Sequence, residues 1–251
     1  MSCCGNKSFQ AIVLVACVFV LIAPAPSSST VAEHLNAKDK TDHVDCHSLM
    51  KAGYNVSGVY RLKLNLKDVS VPCEFRGGNA YALILQRVHG SISFTQSWGA
   101  YETGFGSPSS DYWIGLATIY ALTLQGNNKL QINTQDWSGT AKNGLYNYFS
   151  LEERNTRYRL HVGGYHGTLI DDLSYHNNMP FSTVDAPDPY GCAAGTKAGW
   201  WYNYCAYALP TGIYYIGGPY RPSGSMYDGI YWKDWHGYDY SLKYISMTLS
   251  H

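Results

Sequence analysis

The sequence predicts an α+β domain, on three observations. Apolar and polar residues alternate with a period of two at several places, the mark of half-buried strands. Helical periodicity is confined to a few short stretches, which fall irregularly among the strands instead of alternating with them as a parallel α/β sheet requires. From Gly163 onward regular periodicity fades and Gly, Pro, Asn and Tyr dominate, so the last third reads as a loop-rich, disulfide-bonded subdomain.

The elements follow in order. Lys7 and the twelve-residue apolar run Ala11–Ile22 read as a secretory signal over residues 1–26. The run falls short of the roughly 20 residues a membrane helix needs, so no membrane span is expected once it is removed. Ala23-Pro24-Ala25 fits a cleavage site, but Pro26 would hinder cutting there and Ala32 serves as well; the cut falls between 25 and 32. An uncleaved anchor with acylated Cys3 and Cys4 is the lesser alternative. Residues 27–44 are polar and aperiodic, a flexible lead-in without a Gly-x-y run or heptads, and the domain occupies 45–251.

Leu62, Leu64 and Leu66 alternate with Arg61, Lys63 and Asn65 in a first strand. Val69, Val71, Cys73 and Phe75 form a second, with Cys73 on the apolar face. Ala80–Gln86 is continuously apolar, as a central strand would be. Phe94, Trp98 and Tyr101 stand at i, i+4 and i+7 on one helix face, ended by Gly104-Phe105-Gly106. Trp113–Leu124 reads as a second helix or helix-turn. Leu130 with Ile132, and Tyr158 with Leu160 and Val162, mark further strands.

Composition excludes several functions. Charged residues make up 14% of the chain, the formal net charge is zero and no basic stripe is present, which argues against nucleic acid. There is no His-Glu-x-x-His and no Gly-x-Ser-x-Gly, so no enzymatic role is expected. Of seven cysteines, Cys3, Cys4 and Cys17 lie in the signal. The other four, Cys46, Cys73, Cys192 and Cys205, allow three pairings; nearest neighbours would give Cys46–Cys73 and Cys192–Cys205, each worth roughly 3–4 kcal/mol. No thiol is then left for covalent oligomers. Asn55-Val56-Ser57 is a glycosylation acceptor. The loop before Cys205 carries Trp200 and Trp201 side by side, expected to present flat rings near solvent, in a chain with 23 tyrosines.

A long series of ordered segments carries a family resemblance: Ser57-Gly58-Val59-Tyr60, Gln86-Arg87, Gly104-Phe105-Gly106, Trp113-Ile114-Gly115-Leu116, Val162-Gly163-Gly164-Tyr165, Phe181-Ser182-Thr183 with Asp185, Cys192-Ala193, the double tryptophan, and Gly229-Ile230 with Trp232. From Asp45-Cys46 to about Leu249 the chain resembles the fibrinogen-related (fibrinogen C-terminal-like) domain of fibrinogen chains, ficolins, tachylectins and microfibril-associated glycoproteins. The resemblance implies that globular α+β fold, the nearest-neighbour disulfides, and a structural role for the run His166-x4-Asp171-Asp172-x3-His176. It also implies a calcium site at Asp185 and Asp188, degraded because Pro187 takes the second acid's place, with a metal-free acidic turn as the alternative. A ligand pocket is implied around the Tyr204–Cys205 peptide, which is often cis in relatives, with Ala206 where a histidine is usual, Thr196 and Met226 in place of aromatic walls, and Tyr238 as a retained wall; Trp201 and Tyr227 are further candidates. The expected function is a secreted, non-enzymatic, lectin-like protein of innate defence binding carbohydrate, acetylated sugars among them. The alternative is a matrix or adhesion protein that grips extracellular glycoproteins through the same lobe. Weak single-site binding makes non-covalent homo-oligomers the expectation.

Overall fold

The computed structural model describes residues 43–251. The signal segment, its three cysteines and the lead-in up to residue 42 lie outside the described residues. In chain order the elements are α1 (Cys46–Lys51), β1 (Gly58–Leu64), β2 (Lys67–Arg76), β3 (Asn79–Arg87), α2 (Trp98–Thr103), β4 (Phe105–Gly106), β5 (Tyr112–Trp113), α3 (Leu116–Leu124), β6 (Lys129–Gln135), β7 (Ala141–Leu151), β8 (Leu160–Gly167), α4 (Cys192–Thr196), α5 (Lys233–His236) and β9 (Tyr244–Ser250). Seven strands form one antiparallel path, β1-β2-β3-β9-β6-β7-β8, while β4 and β5 extend it beside the end of β3. The predicted α+β class is the class found.

Local chemistry sets the first elements. Asp45 caps α1 by accepting the Ser48 N–H at 2.6 Å, and the Ser48 hydroxyl accepts the Asp45 N–H in return, so two otherwise orphaned donors are satisfied. Cys46, buried in α1, is bonded to Cys73 in β2. β1 and β2 are joined by Asn65 and Leu66, both at positive φ (48° and 66°), as a two-residue hairpin turn matched to the sheet's twist requires. Leu66 therefore leaves the apolar row predicted for it and is 90% exposed, while Leu62 and Leu64 are buried.

Two helix expectations shift. α2 begins only at Trp98, where the Ser97 hydroxyl caps it by accepting the Ala100 N–H; Phe94 lies before it and reaches the core from a loop. α3 begins at Leu116, and Trp113 belongs to β5. β7 and β9 are absent from the sequence expectations; β9 pairs with β3 on one side and β6 on the other and so occupies the middle of the sheet.

The core is strongly aromatic. Tyr101, Trp113, Phe181 and Trp201 are buried with ring centroids 5.0–6.3 Å apart in edge-on, tilted and stacked contacts. One charge is buried among them. Arg87, at the end of β3, is 1% exposed, lies over the Phe94 ring at 3.8 Å and donates to the carbonyls of Pro210 (3.0 Å) and Gly212 (2.6 Å). Its Nε stands 3.7 Å from Asp111, which itself accepts N–H bonds from Val88 and Ser91. Burial lowers the Arg87 pKa to about 10, against the pull of Asp111, so the guanidinium stays charged at neutral pH. This cation ties the central sheet to the lobe of residues 168–243.

Two buried titratable groups hold that lobe. His176 is fully buried; its Nδ1 lies 2.6 Å from the Trp201 carbonyl, and its Nε2 accepts from the N–H groups of Tyr207 and Ala208 at 3.2 Å each. That pattern assigns the neutral Nδ1–H tautomer. Burial pushes its pKa down to about 4, although the Trp201 carbonyl favours the charged ring. Asp172 is also fully buried, accepts the Asp234 N–H at 2.9 Å on Oδ2 and has no partner on Oδ1. Burial, opposed by that N–H and reinforced by the Asp234 carboxylate, pushes its pKa up to about 7.

Two measurements test this scaffold. Arg87→Met strips two buried carbonyls of their donor and leaves Asp111 without its countercharge, and should lower unfolding free energy in urea by about 3–5 kcal/mol. The second concerns pH. Asp172 is raised from 3.8, so its contribution is complete below about pH 4 and is lost as pH rises to about 7. His176 is lowered from 6.5, so its contribution is complete above pH 6.5 and is lost as pH falls to about 4. The two cancel between these limits. Asp172→Asn keeps an acceptor for Asp234 and removes one of the opposing slopes, so its Tm should climb by roughly 5–10 °C from pH 4 to 6.5 while the wild-type Tm stays nearly level. Parallel profiles would reject the assignment.

Candidate functional site

The lobe is organised around the second disulfide, Cys192–Cys205. Cys192 opens α4, and the chain then crosses to residue 182, where Ser182 and Trp200 exchange both backbone hydrogen bonds (2.9 and 3.0 Å). Gly199 is required just before: a Cβ there would lie 2.5 Å from the Tyr101 ring, so the two pack backbone against ring.

The double tryptophan turns inward. Trp200 and Trp201 are 0% and 1% exposed, and the Trp201 indole N–H donates to the Tyr158 carbonyl at 2.7 Å. Their placement in the core corrects the expectation of exposed rings and removes Trp201 from the candidate ligand surface. The reason is size: in a lobe with little regular structure, these indoles supply the apolar area that helices and strands supply elsewhere.

Tyrosines take the surface. The Tyr204–Cys205 peptide is cis, and Tyr204 is 77% exposed with its ring edge-on to Tyr190 at 5.1 Å. Ala206 is buried, and its carbonyl accepts the Tyr231 hydroxyl at 3.4 Å. Tyr231 meets Tyr238 edge-on at 5.2 Å, and Tyr238 lies nearly parallel to the half-exposed Tyr227 at 5.7 Å. Met226 lies against α4: a Cβ on Gly195 would be 2.2 Å from its sulfur. The structure thus links Ala206 to Tyr238 through the buried Tyr231, stacks Tyr227 on Tyr238, and sets Tyr204 beside Tyr190. Thr196 is buried, its hydroxyl bonded to the Cys192 carbonyl and the Tyr202 hydroxyl, so it forms no wall.

Three residues of this face were missed by sequence reasoning. Tyr175 and Tyr207 stack with centroids 3.8 Å apart and planes within 5°, and the Lys233 ammonium caps Tyr207 at 3.8 Å from its centroid. Lys233 also pairs with Asp234 at 3.1 Å, which raises its pKa. Tyr175 and Tyr207 are 32 residues apart in the chain, and no local pattern announces their meeting.

The acids expected to bind calcium are otherwise engaged. Asp188 is buried and accepts from the N–H groups of Tyr190 (2.9 Å), Cys192 (3.0 Å) and Ala193 (2.8 Å), which fixes the entry to α4. Asp185 is exposed; its Oδ1 accepts the Trp98 N–H (2.8 Å) and the Thr183 hydroxyl (2.7 Å). Its pKa is lowered because these donors outweigh the opposing desolvation. The two carboxylates serve different donors, Asp188 three backbone N–H groups and Asp185 Oδ1 an N–H and a hydroxyl, and are not aimed together into the cage of six to eight oxygens that calcium needs, so the residues as placed do not fit the ion. Among the described residues no group of three or more His, Cys, Asp or Glu is placed to hold a metal.

The run from His166 to His176 is structural. His166 is exposed, Asp171 accepts from the hydroxyls of Tyr146 (2.5 Å) and Ser174 (2.7 Å), and both nitrogens of His176 are used by the backbone. Asn55 of the glycosylation triplet is exposed, and the Ser57 hydroxyl accepts the Phe75 N–H at 2.9 Å.

Comparison with known proteins agrees with this architecture. The family profile described as "Fibrinogen beta and gamma chains, C-terminal globular domain" matches residues 42–251. Angiopoietin-related protein 6 of Homo sapiens is 41% identical over 210 residues, 82% of this chain and 44% of that protein, so the chain spans less than half of that relative's length. The fibrinogen-like globe domain of human ANGPTL2 superposes with a TM-score of 0.78 at 38% identity, covering 82% of this chain and 98% of that one. Lamprey fibrin D-dimer, complexed with the peptide ligand Gly-His-Arg-Pro-amide, gives a TM-score of 0.77 at 30% identity, covering 90% and 79%. These relatives point to the angiopoietin-related branch instead of the ficolins, tachylectins or microfibril-associated glycoproteins. The domain is non-enzymatic, and the chain belongs to the fibrinogen C-terminal globular domain family.

Proposed function

We propose that this chain is a secreted recognition domain that binds an extracellular protein ligand through the tyrosine face of its C-terminal lobe. The observation that carries the reading is the arrangement of that face: Tyr175 and Tyr207 stacked under Lys233, and Tyr227 stacked on Tyr238, which is backed by the buried Tyr231. Ring-on-ring packing holds these side chains before any ligand arrives, which lowers the ordering cost of binding. Tyrosine joins a flat apolar ring to a hydroxyl donor and acceptor, a combination suited to protein surfaces. The peptide complex of the lamprey relative and the angiopoietin-related kinship support the same reading. Export is supported by the apolar N-terminal run and by the two disulfides, which persist in oxidising compartments. Among the described residues no helix is long and apolar enough to cross a membrane.

The carbohydrate reading has less behind it. Trp201 is buried, and Ala206 offers a methyl group where an imidazole would have given a polar handle.

Binding of the labelled protein to cultured cells separates the two. Trypsin treatment of the cells should abolish binding and enzymatic deglycosylation should leave it intact; the reverse, with retention on an N-acetylglucosamine resin, would favour the lectin. Tyr207→Ala and Tyr238→Ala should each weaken binding by at least about tenfold with little change in Tm.

A further inference from the structure

The turn of residues 183–188, where family resemblance expects calcium, already has a cation. Arg157 lies at φ 59° between a single 3-10 turn (Arg154–Thr156) and Tyr158. Its Nη2 donates to the Ala186 carbonyl and, at 3.3 Å, to the Ser182 hydroxyl; its Nη1 donates to the Pro187 carbonyl at 3.3 Å. The Arg157 carbonyl in turn accepts the Phe181 N–H at 2.8 Å, so backbone and side chain grip opposite ends of the same segment.

Three oxygens of this turn, Asp185 Oδ1 and the Ala186 and Pro187 carbonyls, already have donors. The Ala186 carbonyl accepts Arg157 and also the Thr183 N–H at 3.0 Å, which occupies both of its lone pairs. Asp185 Oδ1 accepts the Trp98 N–H and the Thr183 hydroxyl. The circuit closes through rings: the Arg157 guanidinium stands 5.6 Å from the Trp98 ring, which stacks on Tyr158 at 6.2 Å. A divalent ion would need these carbonyls and carboxylates to converge on one point. Here two successive carbonyls and a hydroxyl are held by the planar fork of an arginine, whose separate N–H groups reach all three in a way one ammonium could not, while the Asp185 and Asp188 carboxylates turn to other donors.

We propose that the Arg157 guanidinium is the resident cation of this turn, in place of calcium, and that the lobe holds its shape without metal. The device is independent of whatever ligand the tyrosine face takes.

The test uses the whole exported chain. For the wild type, titration with calcium chloride in a calorimeter should give no binding heat up to millimolar concentration, and Tm should be the same in calcium and in EDTA. Arg157→Asn retains a side chain that tolerates the left-handed backbone, so it removes the guanidinium without imposing new strain. It should lower Tm by about 4–8 °C in both buffers and speed hydrogen exchange at the Thr183 and Ala186 amides at least about tenfold. Arg157→Lys, which keeps the charge and loses the fork, should fall between the two. A calcium-binding heat or a calcium-raised Tm in the wild type would overturn the proposal, and so would an Arg157→Asn protein with wild-type Tm and exchange.

Discussion

The molecule depends on one buried cation. Arg87 ends the strand that neighbours β9 in the sheet, and its guanidinium is spent on carbonyls of the irregular lobe. Its pull on the lobe is strong because a desolvated charge without these acceptors would be several kcal/mol less favourable. Asp111 completes the arrangement by holding the chain after β3 through three N–H groups, so cation and counterion each organise backbone of their own. The same logic recurs with neutral and anionic groups: His176 bridges two passes of the lobe, and Asp172 receives the first turn of α5. In a region with few ladders, side chains do what strands do elsewhere.

That distribution explains what could be read in the sequence. Strands with one dry face declare themselves, as at Val71 and Cys73 in β2 and at Leu130 and Ile132 in β6. β9 carries the same alternation, with Ile245, Met247 and Leu249 set against Ser246, Thr248 and Ser250, so it is readable as a strand; what that spacing does not announce is that Ser246 and Thr248 are as buried as their apolar neighbours, as a strand in mid-sheet requires. Leu66 misled because a hairpin tip interrupts the row without interrupting the spacing. The tryptophan pair was legible as unusual but not as inward-facing: adjacency in sequence says nothing about which side of a loop meets the core.

The site was legible only in part, and for a different reason. Cys192, Cys205, Ala206, Tyr227 and Tyr238 lie near one another in sequence or carry family motifs, so they could be named in advance. The Tyr175–Tyr207 stack, the Lys233 cap and the reach of Arg157 to residues 186 and 187 are contacts between distant segments with no periodic trace. Asp188 shows the limit from the other side. An acid of the right type in the right loop turned out to serve the backbone, three N–H groups at once, and its chemistry could not be told from a ligand's until those donors were located.

The position of β9 has a consequence for how the protein is made. Among the described residues it alone joins β3 to β6, and the halves β1-β2-β3 and β6-β7-β8 share no ladder of their own there. During synthesis both hairpin-built halves emerge from the ribosome long before the segment that unites them, and each then exposes an unpaired edge. The two halves can be joined only once β9 has been made, and until then both borders stand open to wrong partners.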